Sequence, residues 1–147
     1  MSVSDEKDRS AEEPDLAALL ARLFPKLVAL EEPILREAGL SMWEYAIVTK
    51  LASTEAIPQV ELSRRTNRDP TRLGRHLDDL AARGLIVRAR GNDQRQRTVR
   101  LTSSGHSVYT KAKRAIRAVE DELLHSTLST SDAAQLRHLL AQLTAER

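Results

Sequence analysis

The sequence predicts a mainly α-helical protein with one small β-hairpin, and three observations carry that prediction. Apolar residues recur at helical spacing through most of the 147 residues. One stretch, 86–101, is instead β-branched and split by Gly91, Asn92 and Asp93, the composition of a hairpin. Capping residues and glycines punctuate the periodic stretches where helices should start and stop.

Residues 1–14 (MSVSDEKDRSAEEP) are polar and acid-rich without apolar period and read as a flexible acidic arm; residues 15–147 read as one domain. From Leu16 the positions Leu19, Leu20, Leu23, Phe24, Leu27, Leu30, Ile34 and Leu35 define a long amphipathic helix ended by Gly39. An interior proline costs a helix about 3 kcal/mol, so Pro25 and Pro33 predict a kinked or segmented helix. Ser41 caps a second helix running to about Ser53, with Tyr45, Ile47, Val48 and Leu51 turned inward. Pro58 suits the first position of a short third helix, whose buried side is Val60, Leu62 and the Thr66 methyl.

Asp69 and Pro70 form an N-cap and first-turn pair for a fourth helix ending at Arg83 and Gly84. Leu73, Leu77 and Leu80 are its inner stripe, and Thr71, Arg72, Arg75, His76, Asp78 and Asp79 its outer face. Residues 86–90 and 98–101 pair as the hairpin. The sequence TSSG then opens a long helix through about His125 with Val108, Tyr109, Ala112, Ile116, Val119 and Leu123 at helical spacing. A last helix, capped near Ser129 or Ser131, is expected to bury Leu136, Leu139, Leu140 and Leu143.

Composition narrows the function. With 41% apolar and 30% charged residues the chain has enough Leu, Ile and Val to fold. The absence of cysteine excludes disulfides, thiolate zinc sites, Cys nucleophiles and direct thiol sensing. The longest apolar run is Leu16–Ala21, too short for a membrane span or a signal peptide core, so a cytoplasmic location is expected and no membrane partner. The net charge of +2 hides a marked asymmetry: residues 64–100 hold eleven of the eighteen arginines against four acids and no lysine. Guanidinium groups are planar and make two-pronged contacts to phosphate or guanine, which point charges such as lysine do not.

Short helix, turn, arginine-bearing helix and basic hairpin is the order of a winged helix-turn-helix. A helix fits the major groove, about 12 Å wide, and its N-terminal residues reach base edges, here Thr71, Arg72 and Arg75. Leu73, Leu77 and Leu80 hold the opposite face, so binding and packing do not compete. Asp78 and Asp79 oppose phosphate and are expected to face away or to orient an arginine. Near the hairpin tip, Arg95 and Arg97 suit the adjacent minor groove, with Asp93 placed to hold Arg95.

An enzyme is not expected. The four histidines (76, 106, 125, 138) lack metal-ligand spacing, and no HExxH, GxGxxG or phosphate loop occurs, so neither metal nor cofactor is implied. Glu31, Glu32, Glu120, Asp121 and Glu122 read as solvated helix faces. The rival function is a winged protein-interaction adaptor that does not bind DNA.

From Gly39 to Gly105 the stretches GLSMWEYAIVTKL, PQVELSRRT, DPTRLGRHLDDLAARGLIVR and DQRQRTVRLTSSG occur in order, and in this the chain resembles the MarR family of bacterial transcription regulators. The resemblance implies an obligate homodimer built by the helices of 15–40 and 103–147, with 41–102 as the DNA-binding lobe. It implies a palindromic operator, repression, and release by a small, often phenolic or anionic, ligand. Its major-groove role falls on Thr71, Arg72 and Arg75, and its wing role on Asp93 and Arg95. Arg68 and Thr66 stand where the family usually has apolar turn residues, and Arg68 would add a phosphate contact. Gly74, where Thr is common, would permit close approach to the DNA backbone. Pro25 would alter the dimer geometry. Arg22, Phe24, Lys26, Trp43, Tyr45, His106 and Tyr109 lie on elements that line the family's pocket, where an aromatic and a cation suit an aromatic carboxylate. Phe24 and Trp43 also suit plain core positions, His106 a surface or capping position, and Arg22 an ion pair with Glu44 or with an acid of a partner subunit.

Overall fold

The computed structural model describes residues 12–90 and 97–145. In chain order these form α1 (Leu16–Ala38), α2 (Met42–Ala52), β1 (Ile57–Pro58), α3 (Gln59–Thr66), α4 (Pro70–Ala82), β2 (Ile86–Arg90), β3 (Arg97–Leu101), α5 (Ser103–His125) and α6 (Thr130–Thr144). This is the mainly helical fold with a small hairpin wing that the sequence predicts. Among the described residues no helix is long and apolar enough to cross a membrane.

α1 runs through Pro25 and Pro33 without a break, against the expected segmentation. Each proline removes one helix bond, freeing the carbonyls of Ala21 and Ala29; both residues are exposed, so water can satisfy them. Packing of α1 along α5 holds the rest of the helix. Gly39 closes it in the left-handed region (φ 76°), and Leu40 N–H donates back to Leu35 O (2.9 Å).

α2 starts with a capping box: Glu44 N–H donates to Ser41 Oγ (3.1 Å) and Ser41 N–H to Glu44 Oε1 (2.9 Å). Pro58 is not the first residue of α3 but its N-cap, and together with Ile57 it forms a strand the sequence did not announce. Ile57 pairs with Val99 and Pro58 with Thr98, giving the antiparallel order β1-β3-β2, and an edge strand is where proline's missing donor is tolerated. Val60 is 81% exposed, not buried. Leu62 takes the inward position of α3, and two residues along a helix is a turn of about 200°, which points Val60 outward.

One core joins these elements: Ile47, Val48 and Leu51 of α2, Leu62 of α3, Leu73, Leu77 and Leu80 of α4, Ile86 of β2, and Val99 and Leu101 of β3. α5 extends from it along α1, and α6 packs against α5. Leu139 and Leu143 of α6, expected to be buried, lie open, Leu143 at 73%, with Ala133 the buried residue of that helix. Phe24 on α1 is likewise open at 60%, as are Leu16, Leu19 and Leu20. The amphipathic stripes read from the sequence are present, but within one chain nothing among the described residues covers them.

Candidate nucleic-acid interface

The turn before α4 and the start of α4 are built by short polar contacts. Asn67 takes the left-handed conformation (φ 51°), which asparagine tolerates better than most residues. Ser63 Oγ donates to Arg68 O (2.7 Å), and Arg68 N–H donates to Ser63 O (3.1 Å). Asp69 Oδ2 then accepts from Arg72 N–H (3.2 Å), capping α4 with Pro70 in its first turn. Leu73, Leu77 and Leu80 are fully buried, so the helix can be oriented only one way. Thr71, Arg72 and Arg75 therefore share the solvent face at the α4 N-terminus.

The structure divides the arginine cluster in two. Arg64 and Arg65 bond Glu61 (2.6 and 3.0 Å), and these bonds hold the Glu61 carboxyl down at about 2. Arg88 on β2 pairs with Asp78 of α4 (2.5 Å), so Asp78 orients an arginine as the sequence suggested. Arg83 donates through Nη2 to Glu44 Oε2 and through Nη1 to Gly39 O, binding the end of α4 to the end of α1 and the start of α2. Glu44, 8% exposed, thus pairs with Arg83 and not with Arg22. By contrast, among the described residues no carboxylate lies within ion-pair reach of Arg72, Arg75, Arg90 or Arg97, all exposed.

Arg90 and Arg97 are register partners at the end of the hairpin, a pair of like charges that repel unless an anion bridges them. Arg90 escaped the sequence reading. Strand pairing across the tip would have found it, because it directly opposes Arg97. Asp93 and Arg95 lie outside the described residues. Gly74 sits on α4 with open space where a Cβ would stand, so nothing inside the chain requires a glycine there.

Arg68 is engaged internally. Its guanidinium lies 3.6 Å above the centre of the Trp43 ring, and Nη2 donates to His76 Nε2 (3.0 Å), which makes that imidazole nitrogen an acceptor. Its Nε is buried without a partner. Trp43 is accordingly not a core residue; half of it remains open.

Of the residues placed near a ligand pocket, the structure brings Tyr45 and Tyr109 together, stacked with ring centres 6.1 Å apart, and Lys113 lies 5.6 Å over Tyr109. Burial first, then Tyr109, pushes the Tyr45 hydroxyl above its ordinary value, with Glu31 and Glu120 adding to the shift against a hydrogen bond with Thr49. A cleft of about 240 Å³ between α1 and α5 is lined by Ile34, Glu37, Ala38, Val108, Lys111 and Ala112. His106 lines a separate open groove along α5 with Thr110, Lys111 and Arg114. Arg22, Phe24 and Lys26 stand on the exposed first half of α1.

The acids of α1 and α5 are not all solvated faces. Glu31 is half-buried and hydrogen-bonded to Glu120, and Arg137 of α6 donates to Glu120 (3.0 Å) and Asp121 (2.8 Å). The spacing of each helix alone could not show that these faces meet.

A helix-turn-helix with open arginines at the start of its second helix, followed by a basic three-stranded wing, defines a winged helix-turn-helix protein. Residues 40–96 match the family model described as MarR family. The fold is also that of solved structures. The wild-type apo MarR of E. coli superposes with a TM-score of 0.79 at 22% identity, over 90% of this chain and 98% of that one. NadR in complex with 4-hydroxyphenylacetate gives 0.72 at 24% identity, over 91% and 96%. CouR from Rhodococcus jostii RHA1 bound to p-coumaroyl-CoA gives 0.73 at 21%, over 90% and 96%. At these identities the likeness shows the fold alone. No curated protein matches the chain in sequence.

Proposed function

We propose that this protein is a cytoplasmic DNA-binding repressor of transcription that grips a palindromic operator as a homodimer. The observation that carries the reading is the division of the arginines among the described residues: Arg64, Arg65, Arg83 and Arg88 are paired with carboxylates, and Arg72 and Arg75 at the start of α4 and Arg90 and Arg97 at the end of the wing have no carboxylate within reach. Arg72 and Arg75, with Thr71, enter the major groove, where a bidentate guanidinium reads guanine. Gly74 lets the helix lie close to the backbone, and the free N–H groups of the α4 N-terminus favour phosphate. Arg97 and Arg90 track the flanking backbone, with Arg95, held by Asp93, assigned to the minor groove.

The homodimer forms through 15–40 and 103–147, which present Leu16, Leu19, Phe24, Leu139 and Leu143 uncovered, and 41–102 is the DNA-binding lobe of a single domain. A small aromatic acid between them releases DNA. Support comes from the Tyr45 and Tyr109 stack with Lys113 beside it, and from the ligands carried by NadR and CouR.

The test is binding to a duplex that the purified protein selects from a random-sequence pool, followed at several salt concentrations. If about eight phosphates are neutralised per dimer, log affinity falls against log salt with a slope near −7. Absence of selection, or a flat salt response, overturns the reading and leaves a protein-interaction module.

A further inference from the structure

We propose that Arg68 is a positioning residue for DNA recognition: wedged between Trp43 on α2 and His76 on α4, it fixes how α4 is presented and does not itself bind phosphate. The inference rests on the DNA-binding reading above and assigns Arg68 a role opposite to the one its charge and place in the turn suggest.

The geometry has a fixed base and two arms. At the base, both backbone groups of Arg68 are occupied by Ser63, and Asn67 before it holds the left-handed turn. One arm is the flat face of the guanidinium on the Trp43 ring at 3.6 Å; the other is its edge, where Nη2 meets His76 Nε2 at 3.0 Å. With Nε shut away from solvent as well, a move onto a phosphate would break both arms at once.

The position of His76 gives the clamp its consequence. It lies four residues after Arg72 on the same stripe of α4 and next to Arg75, so whatever holds His76 holds the two open arginines. Only a planar cation can stack with its face and donate along its edge; a lysine ammonium offers a charge without the plane. Trp43 lies in the first turn of α2, whose Ile47, Val48 and Leu51 anchor the lobe core, so the clamp ties α4 to a helix seated in that core.

The experiment uses the full-length protein, the duplex it selects from a random pool, and a random duplex of equal length. Arg68→Ala and Arg68→Lys are each expected to lower affinity for the selected duplex about tenfold, by misaligning the groups that read bases, with the salt slope and random-duplex affinity unchanged. Trp43→Leu should give the same loss, and His76→Gln, which keeps an acceptor, should lose less than His76→Leu. Trp43 is the sole tryptophan, so Arg68→Ala should also change its emission in the free protein, a readout that needs no DNA.

Full affinity in Arg68→Lys, a salt slope in Arg68→Ala shallower by about 0.9 for each phosphate no longer neutralised, or unchanged Trp43 emission in Arg68→Ala overturns the proposal in favour of a phosphate anchor. These outcomes leave wild-type binding intact and so spare the function. Failure of the wild-type protein to select any duplex removes the function and this role together.

Discussion

Glu31 on α1 and Glu120 on α5 meet carboxyl to carboxyl, with a hydrogen bond between them, in the half-buried seam beside Tyr45. Such a bond needs a proton, and Glu120 also accepts from Arg137 (3.0 Å). Burial first, then the hydrogen bond and repulsion from Glu120, raises Glu31 to about 7 from its usual 4.5. Between those values the folded chain holds a proton that the unfolded chain has released, so stability falls as pH rises across the window and levels off above it. Chemical denaturation from pH 4.5 to 8 should show wild type losing stability relative to Glu31→Gln, which keeps a donor and does not ionise. A constant difference between the two would contradict the shared proton.

Gly74→Ala separates stability from binding. With open space at the Cβ position, alanine fits, and removing a mid-helix glycine should stabilise the fold by about 0.5–1 kcal/mol. Affinity for the selected duplex should nevertheless drop, because the added methyl stands on the face proposed to meet DNA. A thermal melt and a binding titration on the same sample check both halves.

Gly105→Ala should be costly. Its Cβ would stand 2.2 Å from the backbone oxygen of Leu85 and 2.9 Å from Leu101 Cδ2, and neither a backbone carbonyl nor a packed leucine yields easily. Overpacking of this kind costs about 1–3 kcal/mol, read as a lowered denaturation midpoint. Melting unchanged from wild type would show that the junction gives way.

Arg83→Ala leaves the Glu44 carboxylate buried with only the Ser41 N–H as partner. Since the Arg83 side chain is itself partly open, solvent screening reduces the loss to about 1–2 kcal/mol. The double variant Arg83→Ala, Glu44→Gln should recover part of it, and equal loss in single and double variants would mean the pair is not coupled.

Phe24→Glu or Leu139→Arg places a charge on the uncovered apolar faces of α1 or α6. Sedimentation should show wild-type dimers and variant monomers, with DNA affinity lost in the monomers because each half-site is then bound alone. Dimers that persist in both variants would place the subunit interface elsewhere.

How much of this was legible in the sequence depends on whether the signal was local. The stripe Leu73, Leu77, Leu80 and the caps Ser41 and Asp69 are signals local to one helix and occur as read; TSSG opens α5 with Thr102 as the cap, and of the two caps offered for α6, Ser129 is the one used. The hairpin strands were equally plain. β1 was not, since two residues carry no period and Ile57 becomes a strand only because Val99 is there to pair with it. The contacts of Arg68 and Glu31 were hidden for a related reason: a charge looks solvated until partners on other elements, Trp43 for Arg68 and Glu120 for Glu31, are folded against it. For Leu139 and Leu143 the apolar pattern was right, but its complement is not within the chain.

The junction at Gly105 carries one more consequence. Thr102 Oγ1 donates to Gly84 O (2.7 Å) while accepting from Gly105 N–H (3.0 Å), and Thr102 N–H reaches Leu85 O (3.1 Å), so the root of α5 is soldered to the loop that follows α4. The 23-residue α5 and the loop between α4 and the wing therefore share one hydrogen-bonded junction, through which a tilt of the helix would reach both. Over a length of roughly 35 Å, a few degrees of swing become a displacement of an ångström or two, a lever ratio that, in the dimeric DNA-binding reading proposed above, would throw two reading heads out of step with the pitch of a duplex.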